Sequence, residues 1–109
     1  METERRTLAR EVISKALLLV NGQSCWVGDA SACNESDEVC DSRSAEAVKF
    51  GGYGSLHRAA HEIKSESRFA HDAYNAALEL LDEVASMEVN LNALDHFATR
   101  SLFEKAILN

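Results

Sequence analysis

Residues 45–63 constrain the fold of this chain more than any other stretch, because a cluster of glycines there leads directly into a helical repeat of apolar residues. Gly51, Gly52 and Gly54 allow a turn whose backbone approaches neighbouring segments closely, since glycine has no Cβ. The apolar residues after the turn recur at the i, i+3, i+4 and i+7 spacing of one helix face. They are Leu56, Ala59, Ala60 and Ile63. The stretch predicts a buried central helix over residues 54–64.

Apolar residues at helical spacing predict three further helices. The first covers residues 3–20, and the strongest pattern covers residues 66–86. The last helix covers residues 100–108, with Thr99 as its N-cap. Together with the central helix they predict a mainly α, compact single-domain bundle of about four helices over the 109 residues. We expect the two longest helices to flank the central helix.

The connections between these helices carry recognisable cap and turn residues. Asn21 and Gly22 follow the first helix and predict a left-handed helix cap. Ser44 is placed to cap a short helix over residues 45–50. Residues 87–98 form a connection with room for a brief extended piece and lead to the last helix, which we expect to close one end of the bundle.

Residues 23–43 form a long irregular loop rich in Ser, Asn, Asp, Gly and Cys. A loop of this length is uncommon in a compact domain and is often functional. Trp26 is its expected anchor, and a core plug is favoured over a pocket wall for this side chain. Short pieces at residues 25–27 and 38–40 offer a small hairpin, although neither alternates cleanly between apolar and polar residues.

The charge balance limits the class of partner. The chain has 18 acidic residues against 11 Lys and Arg, for a formal net charge of -7. This charge disfavours nucleic acid as a partner, since binding it needs clustered basic residues, whereas a cationic protein is compatible with it. No apolar run is long enough to span a membrane, and the N-terminus has no signal core. Three cysteines in such a chain predict reduced thiols and the cytoplasm.

His57 and His61 stand one helical turn apart, which is the spacing that lets two imidazoles bind one metal ion. Cys25, Cys33 and Cys40 of the long loop would complete a zinc site in this interpretation. The cysteines contain no Cys-x-x-Cys pair, which argues against zinc. In the simpler interpretation the histidines cover the edge of the apolar helix face and the cysteines are small buried hydrophobes.

Two other interpretations use overlapping residues. A small-ligand site would combine Trp26 and Tyr53 with His57 and His61. An enzyme would use a cysteine nucleophile activated by a neighbouring imidazole, but no local pattern selects one of the three thiols. We therefore predict no catalytic residue and no cofactor, with zinc as the alternative.

The remaining polar residues carry weaker signals. The carboxylates of Asp82, Glu83 and residues 35–38 are expected on solvated surfaces. His71 and His96 have no companion pattern and are expected at the surface or its boundary. None of these residues predicts a reaction.

Two further sequence features concern the protein surface. Residues 51–55 resemble an anion-binding helix N-terminus, but they match no phosphate-loop sequence and no buried strand is predicted before them. Leu18 and Leu78 lie off the main apolar stripes and predict a patch for weak homodimer formation.

Residues 47–60 resemble the centre of a family of small uncharacterised domains of bacteria and their phages. In that family an aromatic residue precedes a Cys-Ala-Leu-Gly-Ala-Leu-like segment and an Ala-rich helix. The resemblance extends along the chain to Trp26 and Gly28 in the long loop. It also includes residues 91–99, which are similar to the family's Trp-Asn-Asp…Thr ending. Gly51 stands where the family usually has cysteine, and Ala93 where it usually has aspartate.

The resemblance implies a compact, mainly α-helical domain and no known activity. Small size, acidity and the lack of a catalytic pattern favour a non-enzymatic protein that acts by binding another protein. A phage-encoded inhibitor or regulator of a host protein is one version of this hypothesis.

Overall fold

A computed structural model describes residues 1–28 and 30–109, without the side chain of Gln23. Four α-helices dominate the described residues, so the expected mainly α class is confirmed. The helices are α1 (Thr3–Val20), α2 (Gly52–Ile63), α3 (Ser67–Ala85) and α4 (His96–Ile107). Two short strands, β1 (Ala32–Cys33) and β2 (Lys49–Phe50), form an antiparallel pair.

Helices α1 and α3 form the centre of the fold, because each of them packs against all three of the other helices. Helix α2 packs against both α1 and α3, as expected. Helices α1 and α3 also pack extensively against each other, so α2 lies beside this pair and not between its members. Its face is buried at Leu56, Ala59 and Ala60, while Ile63 is half-buried at the end. The alanines of α2 and α3 allow the helix backbones to approach closely. The predicted stripe is therefore the core face of α2.

The helix bounds agree with the predicted ones to within two residues, except at the start of α4. Helix α1 has the predicted bounds, and α3 differs from prediction by one residue at each end. Helix α4 begins at His96, four residues before the predicted start, because Asp95 is its N-cap. The Asp95 side chain accepts a hydrogen bond from the backbone N–H of Ala98 at 2.8 Å. The assignment of Thr99 as the cap was wrong, since Thr99 is buried within the helix.

The predicted helix over residues 45–50 is also wrong. Its last two residues form β2, which pairs with β1 in the register Ala32 to Phe50. Phe50 is 3% exposed, so the extended backbone points this ring into the core. Ser44 caps a turn instead, and its hydroxyl accepts a hydrogen bond from the Glu46 N–H at 3.1 Å.

The long loop is held by pairings other than the expected hairpin. Trp26 forms a bridge with Phe50, and Val39 forms a bridge with Cys33, so residues 25–27 and 38–40 do not pair with each other. The backbone N–H of Val27 also donates to the Phe50 carbonyl at 3.1 Å. β2 therefore ties the loop to the helical core.

The ends of α1 and α3 differ in backbone geometry. Asn21 keeps right-handed dihedral angles of φ -61° and ψ -40°, so the predicted left-handed cap is wrong. The chain continues into a 3₁₀ turn at Gln23–Cys25. Ser86 closes α3 in the left-handed region at φ 58°. The connection to α4 contains a 3₁₀ turn at Leu91–Ala93 where a brief extended piece was expected.

The two leucines predicted to form one patch lie in different environments. Leu18 is 75% exposed, whereas Leu78 packs against the core. Within residues 1–28 and 30–109, no helix is both long and apolar enough to cross a membrane.

Candidate functional site

A cleft of about 730 Å³ opens between the long loop and helices α2 and α3. Three histidines line it, together with polar loop residues and two small apolar ones. The lining residues are His57, His61, Ser67, His71, Ala30, Ser31 and residues 39–43. We call this site the histidine cleft.

Two glycines of the central turn let the loop form one wall of the histidine cleft. The backbone N–H of Gly51 donates to the Ser31 carbonyl at 3.0 Å. A Cβ on Gly54 would overlap that Ser31 oxygen and lie 2.5 Å from the carbonyl carbon. A Cβ on Gly51 would lie 2.9 Å from the Val27 oxygen. Since none of the glycines has a positive φ, their role is the close approach predicted from the sequence.

Arg58 holds the outer part of the loop against α2. Its guanidinium donates to the carbonyls of Ser42 and Ser44 at 3.0 and 2.8 Å, and to the Glu62 carboxylate at 2.9 Å. It also lies 5.6 Å from the centre of the Phe50 ring. Arg58 was not among the predicted site residues, and its i, i+4 spacing from Glu62 was the available signal. Arg58 is a positioning residue for the cleft wall.

His57 is the half-buried histidine of the cleft. Its imidazole stacks on the Tyr74 ring, with centroids 3.8 Å apart and 15° between the planes. Burial lowers the pKa of His57, and the positive charges of His61, Arg43 and His71 lower it further. Asp41 opposes this effect. The His57 ring is therefore mostly neutral near pH 7.

The long loop contributes a cation, an anion and a thiol to the cleft lining, which are Arg43, Asp41 and Cys40. Arg43 contacts the Asp41 carboxylate through two nitrogen–oxygen distances of 3.3 Å, and this pair lowers the pKa of Asp41. Burial, followed by the nearby Cys33, raises the pKa of the Cys40 thiol. A thiol with a raised pKa forms less of the reactive thiolate at neutral pH. The cleft does not provide an activated cysteine at this position.

Only part of the predicted small-ligand set reaches the cleft. His57 and His61 line it, but Trp26 and Tyr53 do not. The Tyr53 hydroxyl accepts from the Leu91 N–H at 3.2 Å, which ties α2 to the connection between α3 and α4. Tyr53 therefore has a structural contact outside the cleft.

Trp26 lies against the core near His96. The two rings have centroids 5.2 Å apart at a tilt of 34°. His96 is only 8% exposed, so its expected surface position was wrong. His71 is exposed as expected, but it also lines the cleft, which a single histidine in a sequence does not reveal.

The predicted zinc ligands lie in several parts of the fold. Cys25 is in the 3₁₀ turn after α1, Cys33 is buried in β1, and Cys40 lies in the cleft wall. Among residues 1–28 and 30–109, no three His, Cys, Asp or Glu side chains are arranged to bind one metal ion. The geometry gives no support to a zinc site built from these cysteines with His57 and His61.

Comparison with known proteins found no matching family model, curated protein or solved structure. The fold and cleft define a mainly α four-helix domain with a histidine-lined concave site. The family resemblance of residues 47–60 stays a prediction, so the geometry of this chain alone bears on its function.

Proposed function

We propose that this protein is a non-enzymatic binding protein that holds a small molecule in the histidine cleft. The observation that supports this is the presence of His57, His61, His71 and Arg43 around one concave space of about 730 Å³. Pockets that bind small molecules commonly have volumes of roughly 300 to 1,000 Å³ and a few convergent polar groups. The proposal keeps the two histidines of the predicted ligand set and replaces both aromatic residues.

Binding is favoured over catalysis because the cleft groups are not arranged as a nucleophile and its base. Within the described part of the chain, none of the cleft hydroxyls or thiols donates a hydrogen bond to His57, His61 or His71. A nucleophile normally needs such a partner to lose its proton. The raised pKa of Cys40 points the same way.

A cleft-filling variant tests this proposal. Ser67 lines the cleft at the start of α3, and Ser67→Trp should block ligand entry. Ser101→Trp is the matched control, because Ser101 is exposed on α4 outside the cleft. Backbone amide NMR spectra would be recorded with a fragment library containing anionic, neutral and cationic compounds.

We expect binders that shift the amides around His57 and His71, and that Ser67→Trp stops binding while Ser101→Trp does not. Binding that survives Ser67→Trp, or a library without any cleft binder, would contradict the proposal.

Protein binding is the second candidate, because an apolar groove of about 340 Å³ lies between the end of α3 and α4. Val89, Leu94 and Leu102 line it, and Met87 at its rim is 65% exposed. The acidic residues of α3 are less available to a partner than expected, since Arg5 and Arg6 pair with them. With a net charge of -7, the groove would suit a basic segment with apolar side chains.

A substitution in the groove tests the second candidate. Met87→Glu should abolish binding of a defined basic amphipathic peptide in fluorescence anisotropy. Leu108→Glu is the control, because Leu108 is 87% exposed and lies outside the groove lining. Equal binding by both variants would remove the groove as the site. In the biological version of this candidate, the chain is a phage-encoded protein that binds a host protein and inhibits it.

The cellular setting belongs to the same proposal. The three cysteines are free thiols, which suits a reducing compartment such as the bacterial cytoplasm.

Weak self-association would use Leu18, which lies beside Ile63 and Ile107 in a shallow surface groove. Sedimentation equilibrium of the wild type and Leu18→Glu would measure it, and identical masses at all concentrations would exclude that contact.

A further inference from the structure

We infer that the histidine cleft binds the phosphate group of a small molecule, because three imidazoles and one guanidinium line it against one carboxylate among the described residues. This inference rests on the proposed function and specifies the chemical class of its ligand.

The described lining of the cleft lacks the excess of acidic residues that the whole chain has. The chain carries 18 acidic residues against 11 Lys and Arg. In the cleft, Arg43 and three titratable imidazoles accompany only Asp41 among the described lining residues. The Arg43 and Asp41 charges offset each other, so the histidines decide the sign. Protonated histidines would make the cleft a positive region on an acidic protein, which attracts anions.

The arrangement of donors suits a phosphate better than a carboxylate. His57 and His61 come from α2, His71 comes from α3, and Arg43 comes from the loop. These groups lie on different walls of the cleft. A terminal phosphate has three oxygens that accept hydrogen bonds in different directions, whereas a carboxylate has two oxygens in one plane. Phosphate is therefore a better match than a carboxylate for donors that come from different walls.

Proton uptake should accompany binding. In the free protein, the positive charges of His61, His71 and Arg43 oppose protonation of His57. A bound dianion would offset this repulsion, so His57 would bind a proton more readily in the complex. Affinity would therefore rise as the pH falls from 7.5 to about 6.5, which is above the second pKa of a phosphate monoester at about 6. Among the described titratable and charged groups around His57, four lie on the loop and α2 and two lie on α3. They are Cys40, Asp41, Arg43, His61, His71 and Tyr74.

The test uses calorimetric titration with phenyl phosphate and benzoate at about pH 6.5 and 7.5 and constant ionic strength, where phenyl phosphate is mainly the dianion. We expect phenyl phosphate to bind more tightly than benzoate and more tightly at the lower pH. Loss of a charge-assisted hydrogen bond in His61→Gln or His71→Gln should weaken phenyl phosphate binding by about tenfold. Lys105→Gln is the control, since it removes a positive charge from α4 outside the cleft.

The outcomes separate the ligand class from the existence of the site. Equal losses in Lys105→Gln and the histidine variants would indicate non-specific attraction and overturn the inference. A neutral or cationic fragment that binds in the cleft while phenyl phosphate does not would overturn the phosphate inference and leave the proposed function intact. Tighter binding of benzoate than phenyl phosphate would assign the site to carboxylates and also overturn the inference. If no compound of any class binds the cleft, both proposals fail.

Discussion

Gly54 and Ser31 are in direct backbone contact, although they belong to α2 and the long loop respectively. The Ser31 carbonyl occupies the space that a side chain on residue 54 would need. Ser31 also lines the histidine cleft. The same contact therefore packs the loop against α2 and positions one wall of the cleft.

A side chain at position 54 should destabilise the fold. Gly54→Ala forces its Cβ onto the Ser31 carbonyl, and the backbone must shift to relieve the overlap. Overpacking of this kind should reduce the free energy of unfolding by about 2 kcal/mol or more. Urea denaturation measures the change.

Gly28→Ala is the matched control for that substitution. Among the described residues, a Cβ there would meet the Trp26 indole nitrogen alone, at an ordinary contact distance of 3.7 Å. We expect its unfolding midpoint to stay close to that of the wild type. Equal midpoints for Gly54→Ala and the wild type would contradict the close packing of loop and helix.

The cap of α4 gives a second prediction. Asp95→Ala removes the side chain that accepts the Ala98 N–H, and should lower the free energy of unfolding by about 1 kcal/mol. Thr99→Val should be neutral or stabilising, because the buried Thr99 hydroxyl has no hydrogen-bond partner among the described residues. Thermal and urea unfolding of both variants check this. A large loss in Thr99→Val with none in Asp95→Ala would restore Thr99 as the cap.

Arg5 provides a third prediction, at the contact between α1 and α3. Its guanidinium donates twice to the Glu79 carboxylate, at 2.9 and 3.0 Å, and once to Asp72 at 3.0 Å. Since the carboxylates are exposed, Arg5→Gln should cost no more than about 1 kcal/mol. Arg68→Gln is the control, because the Arg68 guanidinium lies over the Phe69 ring and has no ion pair within the described residues.

The Arg5 contribution should depend on pH. Hydrogen bonds from Arg5 lower the pKa of Glu79 below its ordinary value of 4.5. The stabilisation is therefore present above pH 4.5 and is lost as the pH falls through the lowered pKa. Wild type and Arg5→Gln should have converging stabilities in acid. A constant difference between them down to the acid limit would show that Arg5 acts through packing alone.

His57 gives the fourth prediction. Burial, with the charges of His61, Arg43 and His71, lowers its pKa below the ordinary 6.5. The folded state then binds fewer protons than the unfolded state, so stability is full above pH 6.5 and decreases as the pH falls towards the lowered pKa. His57→Gln should show a weaker loss of stability between pH 7.5 and 5. An NMR titration that places the His57 pKa at or above 6.5 would contradict this.

Much of the helical architecture is readable from local sequence patterns. Helices α1 and α3 have long apolar stripes, and a stripe identifies a helix because one face must be buried. The start of α4 was misplaced because both Asp95 and Thr99 are suitable cap residues by type. Burial decides between them, and burial depends on the rest of the fold.

The cleft was only half predictable. His57 and His61 share a helix face, so their proximity follows from helical spacing. His71 and Arg43 join them from other segments, and no local pattern relates those positions. Tyr53 does not line the cleft as predicted. Its hydroxyl accepts a hydrogen bond from the backbone N–H of Leu91, in a distant part of the chain.

The sequence alone determined the mainly α class, the two longest helices and the buried face of α2. These follow from the spacing of apolar residues along short stretches, which is a local property. Only the tertiary structure decided that Phe50 pairs with the long loop and that three histidines line one cleft. Those relationships arise from contacts between segments far apart in the chain, where packing and backbone pairing outweigh local preference.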